Sequence, residues 1–282
     1  MPLCLGTAFA SGRKYTFTRG QTLKRLGILG AVAILPAFAQ SGVFERHGPA
    51  RIIEQHADGS AASNNWSGYV VTGSTFTAAK GSWVQPAIKC GAHTTFAAAG
   101  FWIGFDGWGN DTVEQTGTAA QCHDGKALYY AWYEFYPANS VPIKSMVVTP
   151  GDRISAEVKF RGGEFILTIT DETTGKTFTK RGTEAGAQRS TVEWIAEAPC
   201  CTKTGAFFPL PDFGTALFGE DNTGVASTND ATAGSLSGAF NTFPSANVLA
   251  VTMVDGNTGA VESVPSSPSS DGTSFSIQWV SR

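Results

Sequence analysis

A chain of 282 residues with 33 glycines, 11% aromatic residues and only 15% charged residues is too aromatic and too weakly charged to be largely disordered. It carries no Lys/Arg-rich stripe of the kind that grips nucleic acid. The formal net charge of −3 conceals an asymmetry: residues 1–39 hold five basic residues (Arg13, Lys14, Arg19, Lys24, Arg25) and no acidic one, so without them 15 basic face 23 acidic residues, a net of −8.

The first 39 residues read as an export signal. Lys24 and Arg25 precede an apolar run from Leu26 to Leu35, and Ala37-Phe38-Ala39 supplies a small-x-small cleavage pattern ahead of Gln40. The run is short for a bilayer span; the alternative is a hydrophobic helix of the folded domain. On the export reading the mature protein is secreted, and no later stretch reaches 18 unbroken apolar residues. Residues 40–62 open polar, mixed in charge and weakly periodic, as a leader, propeptide or linker does, and residues 63–282 form the domain proper.

From Asn64 onward the texture becomes one of short strands and turns. Candidate strands are 66–71, 79–88, 98–105, 112–119 and 127–136, with the turn-rich Asp106 to Asp111 loop between the third and fourth. A meander follows: 144–149 ends in Pro150-Gly151-Asp152, 153–160 in Arg161-Gly162-Gly163, and 164–170 in Asp171 to Gly175, before 176–181. The alternation in Ile154 to Phe160 indicates one buried and one wet face. Strands at 191–198, 248–254 and 274–280 complete the set, with long loops expected at 219–238 and 265–272. Many short strands, no long helical period and no fixed repeat indicate an all-β, two-sheet antiparallel sandwich and exclude a propeller.

Common nucleophilic machinery is missing. There is no GxSxG elbow, no HExxH and no phosphate loop, and no Asp-Thr/Ser-Gly pair. Of four histidines, His47 and His56 fall in the leader, while His93 and His123 lie in turn-like surroundings beside cysteines. Outside the signal the cysteines are Cys90, Cys122, Cys200 and Cys201, which allow three pairings. A link between the adjacent Cys200 and Cys201 is disfavoured as strained, and Cys90–Cys122 is a plausible longer one. The spacing lacks a CxxC and does not suggest zinc.

What remains is a set of carboxylates and amides in aromatic strands. In Thr191 to Pro199, Glu193, Ile195 and Glu197 share one strand face. The two carboxylates are then about 13 Å apart at roughly 3.3 Å per residue, too far to act as a pair. Each needs a partner from another strand, or else both are solvated. Phe101 to Gly107, Thr112 to Gly117 and Ala131 to Pro137 are the other segments that mix aromatic residues with carboxylates and an amide. Such segments line peptide or sugar grooves, and singly they are as often core.

Taken in order, Asn65-Trp66-Ser67-Gly68, Trp102 to Gly107, Gln115-Thr116-Gly117, Ala131-Trp132-Tyr133-Glu134-Phe135-Tyr136-Pro137 and Glu193 to Glu197 resemble the eqolisins, the glutamic peptidases of family G1. The resemblance covers roughly residues 63–280. It implies a concanavalin A-like sandwich with a concave substrate groove, and places the catalytic pair at Gln115 and Glu197 rather than Glu193. Trp66, Trp102, Asp106, Trp132 and Glu134 match groove or supporting positions. Three departures stand out: Glu114 in place of a hydrophobic residue before the glutamine, Tyr130 in place of an acidic residue before Ala-Trp-Tyr, and Ala198-Pro199 after Glu197.

The implied activity is a secreted, acid-acting endopeptidase that activates water with a Glu/Gln dyad and forms no covalent intermediate. It would work as a monomer on polypeptide substrates, with no cofactor, no metal, no nucleic acid and, once the signal is removed, no membrane. The rival readings are a carbohydrate-binding or glycoside-cleaving sandwich using two of Glu134, Glu193 and Glu197, and a non-catalytic relative.

Overall fold

The computed structural model describes residues 45–201 and 205–281; the expected export signal lies outside them. Strand follows strand: β1 (Ile52–Gln55), β2 (Ser60–Ser63), β3 (Trp66–Val71), β4 (Ala78–Val84), β5 (Phe96–Phe105), β6 (Val113–His123), β7 (Lys126–Tyr136), β8 (Val141–Val147) and β9 (Arg153–Arg161). The series continues with β10 (Glu164–Asp171), β11 (Lys176–Gly182), β12 (Val192–Glu197), β13 (Thr215–Gly219), β14 (Asp230–Ala233), β15 (Leu236–Ala239), β16 (Val248–Val254), β17 (Val261–Pro265) and β18 (Ser274–Trp279). One helical turn, α1 (Glu220–Thr223), precedes β14. Among the described residues no helix is long and apolar enough to cross a membrane.

The pairings make two layers. One runs β1–β2–β16–β3–β12–β5–β6–β7–β8, antiparallel except at β2–β16. The other runs β11–β10–β9–β4, and β4 continues to β14–β15 and to β13–β18. Strand β17 bridges β16 and β18 and so joins the layers at one edge. This is the antiparallel sandwich expected from the strand and turn pattern.

Alternation builds the core. Phe101, Ile103 and Phe105 of β5, Trp194 of β12, Ile154 and Val158 of β9, and Phe165, Leu167 and Ile169 of β10 all point between the layers and are buried. The indoles of this interior keep their polar ends satisfied: Trp83 Nε1 donates to Thr118 Oγ1 at 2.9 Å and Trp194 Nε1 to the Lys80 carbonyl at 2.6 Å. Gly68 shows why its motif ends in glycine. Its φ is +143°, and a Cβ there would sit 2.1 Å from the Trp194 carbonyl oxygen.

Two expectations change. The Gly/Ser/Thr-rich region 219–238, expected as a loop, contains α1, β14 and most of β15, because Ala231 and Ala233 alternate into the core. The fourth and fifth strands extend to a hairpin closed by Asp124-Gly125, with φ of 48° and 74°, the left-handed pair a tight two-residue turn requires. Among the cysteines, the expected Cys90–Cys122 link forms with Cα atoms 5.5 Å apart.

Candidate active site

Strand register sets the site. Residues directly opposite one another share a face, and three cross-strand rows cover the outer face of β7, β6, β5, β12 and β3. The first is Tyr130, Ala119, Gly100, Glu197 and Trp66; the second Trp132, Gly117, Trp102, Ile195 and Gly68; the third Glu134, Gln115, Gly104, Glu193 and Val70. A glycine near the middle of each row leaves a trough, walled by tryptophans. Glu197 and Gln115 thus reach the same face from different strands, as their separation in sequence requires.

An extended segment of the chain, Glu45 to Ala50, lies in this trough. His47 is completely buried, with Nδ1 2.8 Å from Glu197 Oε2 and its ring stacked on Trp132 at 3.7 Å and 3°. The His47 carbonyl accepts a hydrogen bond from Gln115 Nε2, and the His47 amide donates to Glu134 Oε2 at 3.0 Å. Arg46 exchanges main-chain bonds with Cys200 at 2.6 and 2.9 Å, Trp66 Nε1 donates to the Gly48 carbonyl at 3.2 Å, and the Ala50 amide donates to the Gly107 carbonyl at 3.0 Å. A Cβ on Gly100 would lie 2.6 Å from the imidazole of His47, so the glycine makes the space the ring occupies.

Charge here is set by burial and proximity. Burial raises the Glu197 carboxyl above its ordinary range, while the His47 charge and hydrogen bonds from His47 and Trp102 (Nε1 to Oε2, 2.9 Å) pull it partly back. Burial works against the His47 imidazolium, but the neighbouring Glu197 and Glu45 carboxylates outweigh it and raise His47 to about 10. Glu134, which also accepts from Gln115 Nε2 at 3.2 Å, is pushed up to about 8 chiefly by burial, with His47 opposing. One oxygen each of Gln115, Glu134 and Glu197 (Oε1 in every case) is buried without a hydrogen-bond partner. Among the described residues no group of three or more His, Cys, Asp or Glu side chains is placed to hold a metal.

The structure gathers Trp66, Trp102, Trp132, Glu134, Gln115 and Glu197 around the trough. Gln115 and Glu197 form no hydrogen bond to each other; His47 touches both. Asp106 stands apart. Its carboxylate accepts from the amides of Gln188, Arg189 and Ser190 at 2.7–2.9 Å and from Asn110, so it fastens the loop that leads into β12. Glu193, a solvated glutamate on one reading of the sequence, is fully buried, and its carboxyl is raised well above the ordinary range, first by burial. Glu114 points away from the trough, paired with Phe105 and Phe135, and burial takes it to about 9. His47 is the functional-site residue the sequence reading passed over, because no local motif marks a contact between residues 150 apart.

The profile of the Peptidase A4 family matches residues 64–263. Aspergillopepsin-2 of Aspergillus niger is 26% identical over 181 residues, covering 55% of this chain and 62% of that protein. Scytalidopepsin B of Scytalidium lignicola is 28% identical over 160 residues, covering 56% of this chain and 55% of that protein. In both cases the match spans less than two thirds of the relative. The crystal structure of scytalido-glutamic peptidase with a transition state analog inhibitor superposes with a TM-score of 0.63 at 23% identity, over 77% of this chain and 98% of that one. Aspergilloglutamic peptidase from Aspergillus niger gives 0.53 at 24% identity, over 65% and 99%. With 200 consecutive residues under one profile and the same sandwich in these solved structures, the chain belongs to the Peptidase A4 family.

Proposed function

We propose that the protein is a secreted endopeptidase acting in acid, with Glu197 and Gln115 as its catalytic pair and residues 40–62 as a leader whose Glu45 to Ala50 stretch occupies the groove. One observation carries the reading: a peptide carbonyl, that of His47, is held by the Gln115 amide while the same residue packs on Glu197. A substrate carbonyl placed there would have an amide donor on its oxygen and a carboxylate beside it.

In this mechanism ionised Glu197 takes a proton from water as the water attacks the carbonyl carbon. Gln115 Nε2 donates to the developing oxyanion. The protonated Glu197 then passes the proton to the leaving nitrogen, and two peptides with free ends result. The unpartnered Gln115 Oε1 and Glu197 Oε1 are acceptors available to orient the attacking water. Glu197 must be ionised to act as the base, so its carboxyl sets the lower pH limit of activity.

Digestion of a denatured protein at acid pH tests the reading, with Glu197→Gln as control. Loss of cleavage in the variant is expected, and equal cleavage by both proteins refutes the assignment. Export is tested separately by N-terminal sequencing of protein from the culture medium, where a start at Gln40 or beyond is expected. Main chain in the trough also favours a peptide over the glycoside reading.

A further inference from the structure

We propose that Gln121 and Tyr130 form a subsite for an acidic side chain of the substrate, two residues N-terminal to the one seated over Glu197. This rests on the peptidase reading above, with the Glu45–Ala50 segment standing where a peptide substrate lies.

Glu45 is completely buried, although it is a carboxylate. Its Oε1 accepts from Gln121 Nε2 at 2.5 Å, its Oε2 accepts from the Tyr130 hydroxyl at 3.2 Å, and its main-chain carbonyl accepts from Ser140 Oγ at 2.5 Å. His47 Nε2 is 3.6 Å from Oε2, a contact within the segment itself. The other donors belong to the sheet and its loops. Gln121 and Tyr130 are held by the β6–β7 hairpin register and linked by a 2.8 Å hydrogen bond, so they stay in place when the segment leaves.

Their position ties them to the catalytic pair. Tyr130 lies in the same cross-strand row as Glu197, and Gln121 is on the same face as Gln115. Burial first, and the nearby Glu45 and Glu134 carboxylates after it, keep the Tyr130 proton on its oxygen, so the hydroxyl remains a donor. A buried carboxylate needs such partners. A lysine in the same place would meet a site already shaped around two donors. The Tyr130 departure from the family pattern therefore has a chemical consequence: a donor stands where an acidic residue would repel the substrate's carboxylate.

The test uses the full-length protein and labelled peptides acetyl-X-Arg-Phe-Gly-Pro-Ala-amide, with X as Glu, Ala or Lys, at about pH 5.5, above the free glutamate value of ~4.3. Phe replaces His so that no contact within the peptide contributes. The resident segment weakens all three peptides by one common factor, so the ratio of dissociation constants still reports the subsite. The Glu peptide should bind at least about tenfold tighter than the Ala peptide, since even one hydrogen bond to a charged group implies that much, and the Lys peptide weakest. The Gln121→Leu, Tyr130→Phe double variant should bring Glu and Ala within about twofold, with the Ala peptide bound no more weakly than by the wild type, since the resident Glu45 loses the same two donors. Wild-type binding of Glu and Ala within twofold overturns the proposal, as does no binding at all, and these wild-type results decide even if the double variant fails to fold. Selective binding of the Glu peptide without cleavage would instead sustain the subsite and sink the peptidase reading.

Discussion

His47 Nδ1 lies 2.8 Å from Glu197 Oε2, and the same imidazole lies flat on Trp132. A residue near the start of the described chain thus covers the carboxylate that, on the proposed reading, a substrate must reach. His47→Ala removes a charge-assisted hydrogen bond and a stacking contact, worth together about 2–4 kcal/mol. In the full-length protein the KM for a peptide substrate should fall at least about tenfold, with kcat little altered. An unchanged KM would mean that the segment does not compete with substrate.

Gln115→Ala should lower kcat by about 10²–10³, the usual loss when an oxyanion donor is removed. Steady-state rates at acid pH measure it. Activity within about threefold of the wild type would take Gln115 out of the mechanism, since an effect on orientation alone is smaller than that expected of the donor.

Buried carboxylates make stability depend on pH in an unusual direction. Glu114 is raised to about 9 and Glu134 to about 8, both chiefly by burial, and Glu193 is raised as well. Each keeps its proton in the folded protein where the unfolded chain would have lost it. Their contribution is complete below the ordinary glutamate range and fades as pH climbs towards 8 and 9. His47, raised to about 10, loses its contribution over a rise through that value. Half of the Glu114 displacement alone corresponds to about 3 kcal/mol. The Tm should therefore be highest near about pH 4–5 and fall towards pH 8, and Glu114→Gln should recover part of the loss at pH 8 while changing little at pH 4. A Tm that is flat or rising over that span would contradict the assignment of neutral buried carboxyls.

Cys90 and Cys122 close a loop with a sequence separation of 32 between the approach to β5 and the end of β6. Chain-entropy reasoning values such a link at about 3–4 kcal/mol. Replacing both cysteines with alanine should lower the Tm by about 10 °C, as calorimetry would show. Because the bridge lies at the far end of the β6–β7 hairpin from Gln115 and Glu134, kcat/KM below the transition should stay near the wild-type value.

How far the sequence reached can be argued residue by residue. Trp66 to Val71 and Phe101 to Phe105 read as strands because β-branched and aromatic residues crowd between glycine turns, and the structure has strands there. Period-2 alternation also separated Glu197 from Trp194, since those two face opposite sides of β12. That Gln115 and Glu197 share a face came from the order of motifs, not from either strand alone, because register between strands is a tertiary property. Region 219–238 was illegible: its strands are four residues long, and small Ala, Thr and Ser side chains carry little hydrophobic contrast. Asp106 looked like groove lining, because a turn carboxylate that accepts backbone amides has the same local sequence as one that binds a ligand. His47 was hidden for a simpler reason. Its neighbours in sequence are polar and irregular, and its meaning appears only when the chain returns 150 residues later.

The direct covalent path from His47 to Trp66, on the floor of the same trough, is 19 residues long. The groove's occupant is therefore present at an effective concentration set by a short tether that is itself partly held in the sheet as β1 and β2, of millimolar order or above. Dilution of the protein cannot empty the site while that path is intact. A single cut between His47 and Trp66 ends this, because the N-terminal piece then becomes an ordinary solute that diffuses away at nanomolar protein. The activity of uncut protein per molecule should accordingly be independent of its concentration, and that of nicked protein should rise as it is diluted.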